Sequence, residues 1–361
     1  MKSSLDDLAV AVREVAVDAE LDLDFAMDRV MDEAVEGDRL SGPSEEKARF
    51  ELTRKLTGFG FLQPFLDDEN VEEVWINQPG QIWFAESGIH RQVSVAFTNE
   101  ELKSLIERMI RSSGRRIDRS TPFIDAQLES GFRLHAVIPD ITRQHMSVNI
   151  RKFSKEVITI QGLLQRGMLT LNQAEFLVRE LKAGANLLIS GATQAGKTTL
   201  LTALLSALEP SERVVSVEDT FELRCLLPDW VAMQTRPASI EGKYEIDLRR
   251  LVKESLRMRP TRLVVGEARG AEALDMLIAM NSGIPGLCTI HANSNQEALK
   301  KLTTLPLLAG GNISSDFVQG LVRTSMKILV HCSRSSNGKR SVSSIMVFGD
   351  ADSLTLSEVQ L

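Results

Sequence analysis

Only three cysteines occur in 361 residues, Cys225, Cys288 and Cys332, far apart and with no CxxC pair. That spacing argues against a disulfide framework or a thiolate metal site and reads as buried thiols in a reducing cytosol. No apolar run approaches the roughly 18 residues that a membrane-spanning helix needs. The opening MKSSLDDLAVAVREV is too acidic and too interrupted to read as a secretory signal. Internal repeats and low-complexity tracts are missing as well. So is a basic excess. The net charge is −7, and residues 1–40 hold twelve acids against four bases, which leaves the other 321 residues at +1. A body so balanced argues against bulk binding to a nucleic-acid backbone, which normally wants a basic face.

What is present suits a globular chain, with 43% hydrophobic and 25% charged residues and length enough for two domains with real cores. Residues 1–57 read as an acidic helical arm. In LDLDFAMDRVMDEAVEG, Leu23, Ala26, Met27, Val30, Met31 and Ala34 recur at helical spacing, and Gly37 and Ser41–Pro43 interrupt the pattern. Residues 58–155 read as a smaller mixed α/β domain. VEEVWIN and QIWFAE are two short strands around a QPG turn, and NEELKSLIERMIRSSG is an amphipathic helix ending near Gly114. GFRLHAVIP and MSVNIRKF alternate with period two, which puts Arg133 and Arg151 on polar strand faces.

Residues 156–361 begin with a helical entry and continue as short aliphatic segments separated by helices: Asn186–Ser190, Arg213–Val217, Leu263–Val265 and Leu287–Ile290. Such segments predict a buried, mostly parallel sheet. MKILVHC and RSVSSIMVF, around Asn337–Gly338, read as closing strands. The predicted class is α/β, with a mostly parallel sheet preceded by the smaller domain and the helical arm.

The chemistry concentrates in GATQAGKT, Gly191–Thr198, which fits G-x-x-x-x-G-K-[ST] between a strand and a helix. Such a loop turns successive backbone N–H groups toward phosphates, aims a lysine at the β/γ-phosphates and offers a hydroxyl to Mg2+. The nucleotide-binding candidates are Gly191, Ala192, Thr193, Gln194, Ala195, Gly196, Lys197, Thr198 and Thr199. A nucleotide site also needs an acid at a second strand end, and RLVVGE supplies Glu267, to polarise the attacking water or hold Mg2+ through water. Glu218 and Asp219 in RVVSVEDTFEL, and His291 after LCTI, belong at the same carboxyl edge, where open α/β sheets bind ligands. Arg249, Lys253 and Arg257 lie along one side of DLRRLVKESLRMRP, which Pro260 ends, and are further candidates to meet a γ-phosphate. Arg250 reads as solvated. Arg133 and Arg151 could reach the nucleotide only if the two domains pack across it.

GATQAGKTT, SVEDTFEL, RMRPTRLVVGEARGAEALDML and GLCTIHANS stand in the order and approximate spacing of the Walker A loop, aspartate box, Walker B strand and histidine box of the type II/IV secretion ATPases. The chain resembles that family from about Phe61 to its end. RRIDRSTPFIDAQL, RLHAVIP, TRPASIEGK and VGEARGAEALDMLIAMNSG resemble its CpaF/TadA-like branch, the motor of tight-adherence (Flp) pili. The resemblance implies a RecA-like ATPase domain and a cytoplasmic hexamer that hydrolyses ATP with Mg2+. It also implies work on a polytopic inner-membrane platform protein, so that membrane association is indirect. By position, Lys197 and Thr198 would bind phosphate and Mg2+, and Glu267 would be the Walker B acid. Glu218 and His291 would support the γ-phosphate or the water, with Glu218 beside Glu267 and Thr198 at the metal, and Arg133 and Arg151 would arrive from the first domain. A conjugation-type secretion motor is the alternative machine. A RecA-like nucleic-acid motor and a non-hydrolysing scaffold fit less well, given the balanced charge and the intact Lys197 and Glu267. Two departures stand out. Gln194–Ala195 replaces the family's common Gly-Ser, and Cys288 stands where serine is frequent. The loop is expected to work nonetheless, with any strain at Gln194 offset by a bond from its amide to the loop or to a neighbouring subunit.

Overall fold

The computed structural model describes residues 59–361 apart from 87, 114, 129, 154–157, 239–242 and 349–354, together with 23–36 and positions 8, 10–12, 14–15, 48–49 and 52. Helix α1, Leu23–Glu36, is amphipathic as its spacing requires. Ala26, Met27, Val30, Met31 and Ala34 pack with Leu8, Val12, Ala48 and Leu52 in a small core. The breaks at Gly37 and Ser41–Pro43, like Gly114, lie outside the described residues. The chain divides into two compact units, residues 1–154 and 155–361.

In the first unit a short helix α2, Gln63–Asp67, precedes strands β1 (Val71–Gln78), β2 (Gln81–Glu86) and β3 (Ile89–Ser94), helix α3 (Asn99–Ile110), and strands β4 (Phe123–Gln127), β5 (Arg133–Val137) and β6 (Ser147–Arg151). The strands form one antiparallel sheet in the order β3-β2-β1-β6-β5-β4. Gly80, at φ 83°, makes the β1–β2 turn that an L side chain would strain. Thr98 and Glu101 close a capping box at the start of α3. Leu102, Leu105, Ile106, Met109 and Ile110 then pack with the alternating inward residues of the sheet, Leu134, Ala136, Val148 and Ile150 among them.

In the second unit helices α4 (Ile160–Gln165) and α5 (Leu171–Lys182) lead into β7 (Leu187–Gly191), α6 (Lys197–Leu205), β8 (Val214–Glu218), β9 (Trp230–Gln234), α7 (Leu248–Ser255) and β10 (Arg262–Val265). There follow α8 (Glu272–Asn281), β11 (Gly286–His291), α9 (Asn295–Thr304), α10 (Ser315–Ser325), β12 (Ile328–Arg334), β13 (Arg340–Phe348) and β14 (Leu356–Glu358). The sheet order is β14-β13-β12-β7-β11-β10-β8-β9. The six strands from β12 to β9 are parallel, and β13 and β14 run antiparallel at one edge. Alternate residues of the buried strands face opposite layers. Leu187 and Ile189 pack with α4, α5 and α6, whereas Leu188 packs with α7, α8, α9 and α10. Helices cover both faces, as parallel crossovers require. This is the expected RecA-like α/β unit, preceded in the chain by a smaller sheet. Cys288 and Cys332 are buried and Cys225 half-buried, all as free thiols. No helix among the described residues is long and apolar enough to cross a membrane.

Candidate functional site

The parallel register brings four strand ends to one edge of the larger sheet. Gly191 of β7 lies opposite His291 of β11 and Cys332 of β12. Val217 of β8 lies opposite Val265 of β10, so Glu218 emerges level with Gly266, one residue before Glu267. The N–H of Gly266 donates to the Val217 carbonyl at 2.9 Å, and that of Ala268 to the Thr289 carbonyl at 2.9 Å, which carry the ladder past the last strand residue.

The two glycines that define the loop serve different needs. Gly191 ends a strand, and a Cβ there would stand 2.5 Å from the Cys332 carbonyl oxygen, so its requirement is close approach between β7 and β12. Gly196 is the left-handed N-cap of α6, at φ 93°, and supplies no side-chain acceptor to the helix. The first-turn N–H groups of α6, from Lys197 to Thr199, have no carbonyl within the helix to bind. They remain with the positive end of the helix, inside a loop that a Cβ at either glycine would crowd. Ala192 and Thr193 are exposed, Ala195 is buried, and Thr198 and Thr199 are half-buried.

Lys197 is only 7% exposed. Its Nζ donates to the Gly191 and Ala192 carbonyls at 3.1 and 3.0 Å and lies 3.0 Å from His291 Nδ1. His291 Nε2 is 2.9 Å from Glu267 Oε1. That pair is close enough for a charge contact but off the line of a good hydrogen bond, which leaves the buried oxygen with acceptor capacity. Burial first, and the Lys197 charge second, lower the pKa of His291 against the opposing pull of Glu267. The Lys301 ammonium donates to the His291 carbonyl at 2.8 Å and fixes its backbone. On the other side Arg269 donates to Glu267 Oε2 at 2.8 Å and stands 3.5 Å from Asp219.

Glu218 is buried, unlike the exposed Asp219 beside it. Its Oε2 accepts from the backbone N–H groups of Glu222 and Leu223, both at 2.8 Å, and its Oε1 is buried with no hydrogen bond. Burial pushes its carboxyl up to about 7 despite those two bonds. The space for it comes from Gly266, where a Cβ would sit 2.9 Å from Glu218 Cγ.

These residues fit a nucleoside triphosphate: backbone N–H groups at a helix start, a lysine inside the loop, and two acids, Glu218 and Glu267, each with a buried oxygen that accepts no hydrogen bond. Among the described residues no group of three or more His, Cys, Asp or Glu side chains could hold a metal ion alone. Thr198, Glu267 and Glu218 are the side chains that would hold an ion brought in on the phosphates.

Other candidates have neighbours of their own. Arg249 and Lys253 both pair with Asp275 of α8, and Arg250 and Arg257 with Glu254 on their own helical stretch. Arg133 and Arg151 are directly opposite on β5 and β6 of the first unit; Arg133 reaches Asp125 at 3.4 Å, and Arg151 neighbours Glu73 on β1.

Four features escaped the sequence reading. Arg269 had a signal, an arginine two positions after the strand-end acid. Gly266 had one too, a glycine between strand and acid. Ser190 does not: its Oγ lies 2.8 Å from His331 Nδ1 and 3.2 Å from both Asn295 Oδ1 and the Val330 carbonyl, residues more than 100 positions away. Nor do Arg334 and Arg340, which bond to Gln194.

Residues 55–352 match the family described as Type II/IV secretion system protein. The chain is 34% identical over 309 residues to a "Putative conjugal transfer protein" of Mycobacterium tuberculosis, covering 83% of this chain and 87% of that one. It is 32% identical over 268 residues to the type IV secretion system protein PtlH of Bordetella pertussis, covering 68% and 79%. Among solved structures, the ATPase DotB of Legionella pneumophila superposes with a TM-score of 0.57 at 18% identity, covering 78% of each chain, a likeness of fold.

Proposed function

The chain belongs to the type II/IV secretion system protein family, and on that premise we propose that it is the ATP-hydrolysing motor of a conjugation-type secretion machine. The single observation that carries the hydrolytic reading is the chain of contacts Lys197–His291–Glu267 at the strand edge. Magnesium-bound ATP supplies the scissile phosphoanhydride. The protein's part is to hold and orient it. The loop from Gly191 to Thr199 grips the phosphates, with Lys197 drawing off the His291 ring toward them and Thr198 offering its hydroxyl to the ion. Glu267 orients the attacking water and holds its proton, Arg269 keeps that carboxylate aimed, and His291 senses the γ-phosphate between Lys197 and Glu267. Glu218 supports the ion or the water through its spare oxygen. Arg133 and Arg151 are the first unit's candidates to add positive charge as charge spreads over the equatorial oxygens.

The curated relatives named for conjugal transfer and type IV secretion support this machine. The Tad/Flp pilus motor of the CpaF/TadA-like branch is the second reading, supported by the runs RRIDRSTPFIDAQL and VGEARGAEALDMLIAMNSG. In either machine we place the chain in a homo-hexamer at the cytoplasmic face of the membrane, pushing on a polytopic partner. Residues 1–57 form the arm, 58–155 the first domain and 156–361 the motor domain. Phosphate release by the wild-type protein, absent in Lys197→Ala, tests the chemistry. A deletion strain tests the machine. Loss of DNA or protein export with normal surface pili supports the conjugation-type motor, and loss of pili alone supports the other.

A further inference from the structure

Gln194 sits at the apex of the loop at φ 61°, the left-handed region that a residue with a Cβ enters at a cost. Two arginines meet it there. Arg334 donates from its terminal nitrogen to the Gln194 side-chain oxygen at 2.7 Å, and Arg340 donates through Nε to the Gln194 carbonyl at 2.9 Å. They are the partnered residues at the end of the β12–β13 ladder, in direct register. The turn beyond them is tight. Ser335 donates to the Lys339 carbonyl at 2.9 Å and Gly338, at φ 85°, to that of Ser335 at 2.9 Å. The arginines therefore hang from a short, rigid hairpin. The stem of Arg340 also lies over Gly196, its Cδ 3.5 Å from where a Cβ would be.

We propose that Arg334 and Arg340 are positioning residues of the nucleotide site, a clamp that holds Gln194 left-handed and keeps the phosphate-binding loop formed before nucleotide arrives. The physical reason lies in the peptide plane. A carbonyl and the following N–H point in opposite directions, so fixing the Gln194 carbonyl on Arg340 fixes where the Ala195 N–H points, here to the Ala192 carbonyl at 3.3 Å across the loop's own turn. Without the side-chain bond to Arg334, Gln194 relaxes toward negative φ and the turn from Ala192 to Ala195, which shapes the cradle, opens. Nucleotide must then select a minor state, and its apparent affinity falls by the fraction of loops still formed. A glycine at 194 has no such preference and needs no side-chain hold. This clamp suits the departure at Gln194, where the family's common residue is glycine.

The two arginines act through different groups, and that makes the inference testable. Arg334 works through the side chain of residue 194 and Arg340 through its main chain. The inference rests on the reading of the loop as a nucleotide site, so two readouts are needed. The first is binding of ADP and ATP to the full-length protein by calorimetry. Arg334→Ala is expected to weaken nucleotide about tenfold, while kcat at saturating ATP moves less than about threefold. With Gln194→Gly already in place, Arg334→Ala is expected to cost less than about twofold, whereas Arg340→Ala costs the same in both backgrounds. The second is hydrogen exchange of the loop amides, 192–196, in the nucleotide-free protein. Arg334→Ala is expected to speed it, and to add nothing in the Gln194→Gly background. Wild-type affinity in Arg334→Ala, or equal losses in the two backgrounds, overturns the clamp. A protein that binds no nucleotide while its loop exchange follows the expected pattern overturns the nucleotide reading and leaves the clamp standing.

Discussion

The Nδ1 of His291 stands 3.0 Å from the Nζ of Lys197. An ammonium has only protons to give, so Nδ1 is the acceptor and the ring proton of the neutral histidine sits on Nε2, facing Glu267. Burial and the lysine charge both favour that neutral ring. The histidine thus links Lys197 of the loop to Glu267 at the neighbouring strand end, and moving Lys197 changes what His291 offers Glu267.

Glu267→Gln keeps the size of the acid and removes its charge. It is expected to retain ATP affinity within about threefold while hydrolysis falls about 100-fold or more. Lys197→Ala is expected to lower both. Calorimetry and phosphate release on the same preparations check this, and wild-type turnover in Glu267→Gln would take the acid out of the mechanism.

The buried Glu218 makes stability depend on pH. With its carboxyl raised from the ordinary 4.5 to about 7, the folded protein holds a proton between those values that the unfolded chain has lost. Stability therefore falls as pH rises through that window and levels off above it. Glu218→Gln removes this dependence. Its stability relative to wild type is expected to grow from pH 5 to pH 8 by on the order of 2–3 kcal/mol. Denaturation midpoints at the two pH values measure it, and parallel curves would show that Glu218 ionises freely.

Gly266→Ala would set a methyl 2.9 Å from Glu218 Cγ and displace that side chain. A loss of about 1–3 kcal/mol in stability is expected, with hydrolysis reduced about tenfold. Gly320→Ala is the control, because nothing lies within 4 Å of its new Cβ on α10. Equal melting temperatures for the two variants would refute the packing argument.

Residues 156–361 contain both hydrophobic cores of the second unit. A chain beginning near residue 156 is expected to bind nucleotide yet lose most hydrolysis, because Arg133 and Arg151 are gone. Arg133→Ala and Arg151→Ala in the full chain should each lower kcat about tenfold or more. Full activity from the shortened chain would show that the first unit contributes nothing to the chemistry.

The loop was legible because its chemistry is local. A strand, two glycines, a lysine and a hydroxyl occur within a dozen residues, and each needs its type at its place. The aliphatic strands β7, β8, β10 and β11 were legible for the same reason, since near-complete burial leaves a mostly apolar run. Strand β9 was not read, because its residues are all half-buried at a sheet edge and show neither such a run nor an alternation. Strand β4 was not read either. Its FIDAQ alternates over only five residues, and the exposed Phe123 occupies the polar phase.

By itself the sequence determined the parallel sheet, the loop and the acids at the strand ends, because periodicity and strand–turn–helix chemistry act between near neighbours in the chain. It could place Gln194 in the loop and foresee a compensating bond, but not the partner. Only the tertiary structure brought Arg334 and Arg340 to Gln194 from 140 and 146 residues away. It alone buried Glu218 over Gly266 and brought Lys197, His291 and Glu267 into successive contact. Those relations are set by strand order and register, and a parallel sheet inserts its strands out of sequence. Residues that meet across its edge therefore leave no spacing in the chain from which their meeting could be read.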